Sequence, residues 1–220
     1  MPLRFIPALL AFVLLAPPGA AAAGLPVARK VLTFASRHTH ISIAYPQTGN
    51  RAIDAALAAY ARESMTGGDA LETTITYDVA RNDDRMFAVT FDVKVDLGGH
   101  HPQLAFEAFN FLRPAGTRIF LSDIVDGQRG IALVSSLAIA DLTRRLTASG
   151  EAVDPHWIGE GAGPSAENFA AFYVAPGALH IRFAPYLVAG HSSGTLEAVI
   201  PLARLKAVLR PGWRVLETSP

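Results

Sequence analysis

Three kinds of residue in this 220-residue chain could do chemistry: a serine between glycines, seven histidines and several closely spaced acids. Residues 190–194 (GHSSG) match G-x-S-x-G, the pattern of a hydrolase nucleophile elbow. That elbow needs a strand, a sharp turn and then a helix, with the acid and the histidine later in the chain. Residues 195–200 alternate as a strand does, and no histidine follows Ser192. The sequence therefore favours a glycine-rich loop between two strands.

The histidines could bind a metal if three of them met, because three imidazoles make a zinc site. Six of them fall into three groups along the chain: His38 and His40, His100 and His101, and His180 and His191. The sequence does not show that these groups converge. We therefore assign no metal ligand and keep a histidine-based metal binder as one alternative function.

Asp78, Asp92 and Asp96 lie on the polar faces of two neighbouring predicted strands. Glycosidases need two carboxyl groups at a set separation in a cleft. Acids that alternate along a solvent-exposed strand face more commonly serve solubility. We assign no catalytic residue, and a periplasmic hydrolase of cell-wall or ester substrates remains the second alternative.

The composition restricts the partners and cofactors. The 19 basic and 19 acidic residues balance, which argues against a nucleic-acid footprint. The chain has no cysteine, so disulfides, thiolate metal sites and bacterial lipidation are excluded. We predict no cofactor and no nucleic-acid partner.

Residues 1–23 have the features of an export signal. Arg4 precedes an apolar run over residues 5–16, which proline and glycine break before four alanines. The apolar run is shorter than the ~20 residues that span a bilayer. We predict cleavage after Ala23, with Ala21 or Ala22 as alternative sites, a periplasmic or secreted location, and no membrane segment in the mature chain.

After the signal, we predict a lead-in segment over 24–38 and a single domain over 39–217. The domain could consist of two sub-halves that meet near 112–127. Period-2 alternation predicts strands at 39–45, 71–80, 86–97, 104–112, 118–121, 169–174, 178–183 and 195–200. Helical spacing predicts helices at 51–65, 128–148 and 201–209, the last with Pro201 at its first position. Residues 150–167 read as a surface loop. Hairpins with inserted helices indicate an α+β fold, a mainly antiparallel sheet with two to three packed helices.

Two segments then suggest a relationship. Residues 98–102 (GGHHP) follow the longest strand, and residues 183–194 (FAPYLVAGHSSG) precede an Ile-Pro helix start. In order and spacing they resemble the extracellular domain of unknown function shared by RsiV-type anti-sigma factors and PdaC-type peptidoglycan deacetylases. The resemblance covers about residues 39–210, and Asp54 stands where that domain often has asparagine.

The resemblance implies an α+β fold and a binding role. The RsiV-type domain binds lysozyme, and the PdaC-type domain accompanies a separate catalytic domain. This chain carries neither a cytoplasmic anti-sigma segment nor a deacetylase domain, so neither activity is expected. It implies a secreted or periplasmic, non-enzymatic binding module whose ligand is lysozyme or a cell-wall component such as peptidoglycan.

We predict that His101, Tyr186 and His191 contact the ligand. Tyr186 has a competing interpretation as a core residue whose hydroxyl bonds to the backbone. The residues predicted to shape the surrounding turns are Gly98, Gly99, Pro102, Pro185, Gly190, Gly194 and Pro201. Gly98 and Gly99 are both expected at positive φ.

Overall fold

The computed structural model describes residues 24–66 and 70–213. The predicted signal peptide lies outside these ranges. The described residues form an α+β fold with nine strands in two sheets, which confirms the predicted fold class. Within these ranges, no helix combines the length and apolarity needed to cross a membrane.

The strands are β1 Ala28–Ala35, β2 His40–Gln47, β3 Glu72–Asn82, β4 Met86–Asp96, β5 Gln103–Leu112, β6 Thr117–Ile119, β7 Phe172–Ala175, β8 Ala178–Phe183 and β9 Leu196–Pro201. The helices are α1 Arg51–Glu63, α2 Leu121–Ile124, α3 Gly127–Ser149, α4 Pro155–Gly161 and α5 Leu202–Leu205. Most of the predicted elements are present with ends shifted by a few residues.

The first six strands form one sheet in chain order. All neighbouring pairs are antiparallel except β2 and β3, which are parallel and are connected through α1. Asn50 caps α1 as predicted, and its side chain accepts hydrogen bonds from the amides of Ala52 and Ile53 at 3.1 and 3.2 Å. The helix covers one face of this sheet, where Ile53 and Leu57 are fully buried.

The last three strands form a smaller antiparallel sheet in the order β7-β8-β9. Helix α3 packs on it through the predicted stripe, which is buried throughout: Ile131, Val134, Ala138, Leu142 and Leu146. Asn110 of β5 joins the sheets, because its amide donates to the Phe172 carbonyl and accepts from the Val174 amide, both at 2.9 Å.

Strand β4 differs from the prediction of a single buried face. Phe87, Val89 and Phe91 are buried toward α1 as predicted, but Met86 and Ala88 on the opposite face are also fully buried. The small sheet covers that second face, since β7 contacts β3, β4 and β5.

Three further local predictions need correction. The lead-in segment contains β1, which pairs along its whole length with β2. The loop over 150–167 contains α4, which Asp154 caps by accepting from the amides of His156 and Trp157. Pro201 ends β9 and precedes α5, which stops at Leu205.

Candidate functional site

A cleft of about 300 Å³ lies between the start of β5 and the turn that follows β8. Its lining residues are His101, Pro102, Gln103, Leu104, Pro185, Tyr186 and His191. The three predicted ligand contacts therefore come together: the ring centroids of His101 and His191 are 4.6 Å apart, and those of Tyr186 and His191 are 5.6 Å apart. All three residues are exposed, so a ligand can reach the rings.

The turn between β4 and β5 carries His101 into the cleft. Gly98 adopts φ 80°, a conformation that favours glycine, and its amide donates to the Asp96 carboxylate at 2.8 Å. Gly99 is not at positive φ, which corrects that part of the prediction. Gly98 alone supplies the left-handed position of this turn, and the hydrogen bond from its amide ties it to the Asp96 side chain.

Tyr186 is held in an unusual backbone conformation. Its φ is 71°, and it is the only non-glycine residue in the described ranges with positive φ. The residue is 54% exposed, so it is a surface tyrosine and the interpretation as a core residue is wrong. Such conformations cost of order 1–3 kcal/mol and persist where the surrounding structure imposes them.

Helix α4 supplies that constraint. The indole Nε1 of Trp157 donates to the Tyr186 carbonyl at 2.9 Å, while the Tyr186 amide donates to the Ala189 carbonyl at 3.1 Å. A Cβ at Gly161 would lie only 1.9 Å from the Leu187 carbonyl oxygen, so the helix and the turn are in direct backbone contact. The helix that sequence reasoning missed therefore supports one wall of the cleft.

The segment after this turn does not form a nucleophile elbow. Residues His191–Ser193 make a single 3-10 turn, Gly194 turns the chain at φ 66°, and β9 follows where the elbow requires a helix. The Ser193 hydroxyl donates to the Glu151 carboxylate at 3.2 Å. Gly190, at φ −63°, has an ordinary conformation, and His191, the first residue of the 3-10 turn, lines the cleft.

The remaining histidines do not join the cleft pair. In the part of the chain that the structure describes, no group of three or more His, Cys, Asp or Glu residues could hold a metal ion. His38 and His40 are exposed near the β1–β2 turn. His180 instead contacts side chains of the small sheet.

A polar network of Tyr173, His180 and Glu197 lies on the small sheet. The Tyr173 hydroxyl donates to Glu197 at 2.6 Å, and His180 Nδ1 is 3.1 Å from that hydroxyl and 3.3 Å from the carboxylate. Burial is the largest cause of a raised pKa at Tyr173, and the hydrogen bond to the Glu197 carboxylate raises it further. The raised pKa disfavours a tyrosinate nucleophile. Burial opposes ionisation of Glu197, but hydrogen bonds from His180 and Tyr173 outweigh it and lower the Glu197 pKa.

Arg182 links this network to the large sheet. It forms an ion pair with Asp92 and lies over the Phe106 ring at 4.0 Å from the centroid. Sequence patterns could not reveal these contacts, since they depend on how the two sheets pack. Asp92 and Asp96 both have structural partners, and neither acid lines the cleft.

Comparisons with known proteins agree with this architecture. Residues 122–203 match the family described as a protein of unknown function, DUF3298. The crystal structure of a DUF3298 family protein from Pseudomonas aeruginosa PAO1 superposes with a TM-score of 0.64 at 16% identity, covering 87% of this chain and 97% of that one. A member of the same family from Bacteroides fragilis NCTC 9343 gives 0.60 at 12% identity, covering 89% and 99%. No curated protein matches the chain. These likenesses show a shared fold.

Proposed function

We propose that this protein is an exported, non-enzymatic module that binds cell-wall glycan in the cleft formed by His101, Tyr186 and His191. The observation that carries the proposal is the convergence of these three exposed rings on one cleft. The predicted signal at residues 1–23 would place the module outside the cytoplasm, where a cell wall is accessible.

The chemistry of the cleft suits an uncharged, partly apolar ligand. No Asp, Glu, Lys or Arg is among its lining residues in the described chain. The rings and Leu104 offer apolar surface, while Gln103 and the Tyr186 hydroxyl offer hydrogen-bonding groups. Sugar rings combine apolar faces with hydroxyl rims, so they match both parts of this lining.

The size of the cleft favours glycan over a folded protein. Its volume of about 300 Å³ is at the small end of typical ligand pockets. A stable protein complex would need roughly 800 Å² of contact on each partner. Lysozyme binding would therefore recruit surface beyond the cleft, such as the exposed Leu187 beside Tyr186.

The same lining supports binding without catalysis. Glycan hydrolysis needs two carboxyl groups beside the sugar, and the cleft lining supplies none. Hydrolysis through Ser192 would need the elbow, but Ser192 lies in a 3-10 turn and the next element of the chain is strand β9, not a helix. No observation in the described chain favours the hydrolase or the metal binder over the binding module.

The test is co-sedimentation of the full chain, produced in an exporting host, with insoluble peptidoglycan, alongside capture on immobilised lysozyme. We expect retention on peptidoglycan, lost in His191→Ala and kept in His38→Ala, a matched exposed histidine outside the cleft lining. Capture by lysozyme alone would replace glycan with a protein ligand. Retention on neither would refute the proposal.

A further inference from the structure

A second cavity, of about 490 Å³, lies between α3 and the outer edge of β9. Arg144 and Arg145 on α3 and Arg204 on α5 line it. It shares no lining residue with the cleft of His101, Tyr186 and His191, so binding here does not depend on the proposed function. Its volume lies within the range of pockets that hold small ligands.

Asp141 organises the arginine side of this cavity. Its carboxylate accepts from the Val199 amide at 3.0 Å and from Arg145 Nε at 2.7 Å, and it also pairs with Arg144. These bonds attach α3 to the outer edge of β9. They also fix the two α3 guanidinium groups beside the cavity while leaving several of their N–H donors unused.

The charge of the lining is unbalanced. The lining contains three guanidinium groups and one carboxylate, that of Asp141. Arg204 forms no ion pair with any residue in the described ranges, so its charge is available to a ligand. Guanidinium groups hold carboxylates through paired hydrogen bonds, which makes an anion the complementary ligand.

The rest of the cavity lining is apolar. Leu137 and Ala140 of α3 and Ile200 and Pro201 of β9 supply hydrocarbon surface next to the arginines. An inorganic ion would leave this surface without a contact. An anion attached to an apolar body would contact both the arginines and the apolar residues.

We propose that this cavity binds a small organic carboxylate. The carboxylate lies between Arg144 and Arg204, and the apolar body lies on Leu137 and Pro201. Asp141 competes for Arg144 and positions the site without contacting the apolar body.

The test is calorimetric titration of the full chain with three probes: octanoate, octanol and inorganic phosphate. Octanoate carries both features, octanol lacks the charge, and phosphate lacks the apolar body. We expect octanoate to bind at least about tenfold more tightly than either, because a charge-assisted hydrogen bond and the burial of several methylene groups each contribute that much. Octanoate that fails to bind, or that binds no better than octanol, would overturn the proposal.

Two variants locate the site. Arg204→Gln should weaken octanoate binding about tenfold, whereas Arg129→Gln, an exposed arginine of α3 outside the cavity lining, should leave it unchanged. Equal effects of Arg204→Gln and Arg129→Gln, with both proteins folded by circular dichroism, would refute the assignment.

Discussion

Replacing Tyr186 by glycine and by alanine isolates the strain in the turn that forms the cleft. Both substitutions remove the ring, so the loss of its contacts cancels when the two variants are compared. At an ordinary position glycine is less stable than alanine, because it adds about 0.4–1 kcal/mol of chain entropy to the unfolded state. At φ 71° alanine keeps the left-handed penalty, about 1–2 kcal/mol, and glycine does not.

The order of stability at Tyr186 should therefore be reversed. Subtracting the entropy cost from the relief of strain leaves Tyr186→Gly more stable than Tyr186→Ala by about 0.8 kcal/mol, within limits of about 0 and 1.6 kcal/mol. Urea unfolding followed by circular dichroism measures this difference directly. The control is Ala140→Gly inside α3, where the wild type already has alanine. There the wild type should be more stable than the glycine variant, which is the ordinary order. If Tyr186→Ala were the more stable variant, the structure would not impose the left-handed conformation, and the account of a rigid cleft wall would be wrong.

Three other predictions follow from the same contacts. Gly161→Ala should destabilise the fold by about 1–3 kcal/mol in urea unfolding, because its Cβ would overlap the Leu187 carbonyl, whereas Gly159→Ala, with open space at the Cβ position, should not. Asn110→Ala should cost about 2–4 kcal/mol, since it leaves a buried amide and a buried carbonyl of β7 without partners, and a loss below about 1 kcal/mol would contradict the role of Asn110 in joining the sheets. Burial alone would raise the pKa of Asp141, but hydrogen bonds from the Val199 amide and from Arg145 and Arg144 lower it. The contribution of Asp141 to stability should therefore be complete above the ordinary carboxyl pKa and be lost as pH falls through the lowered pKa. Asp141→Asn should flatten this part of the curve of unfolding free energy against pH.

The fold was largely predictable because local patterns specify its main elements. The alternation of Phe87, Val89 and Phe91 identifies β4, and Asn50 marks the start of α1. Burial of the opposite face of β4 was not predictable, because it depends on the docking of β7 from a distant part of the chain.

Helix α4 was missed although Asp154 and Pro155 are ordinary helix-start residues. The helix has only seven residues, two of them glycines, so it lacks an apolar stripe. Gly161 is needed there for close contact with the turn, and that requirement lowers the helical signal.

The candidate site was only partly predictable. A motif resemblance indicated His101, Tyr186 and His191, but their proximity requires the packing of the two sheets. The network of Tyr173, His180 and Glu197 depends on cross-strand register in the small sheet, and the arginine cavity depends on the seating of α3. Single-sequence patterns contain neither relationship.

The most direct measurement of the central claim is the affinity of the full chain for soluble peptidoglycan fragments, compared between the wild type and Tyr186→Gly by calorimetry. The variant keeps the turn and removes one ring from the cleft, so we predict binding by the wild type and a loss of about tenfold or more in the variant. Equal affinity in the two proteins, or no binding by the wild type, would contradict a glycan site in the cleft of His101, Tyr186 and His191.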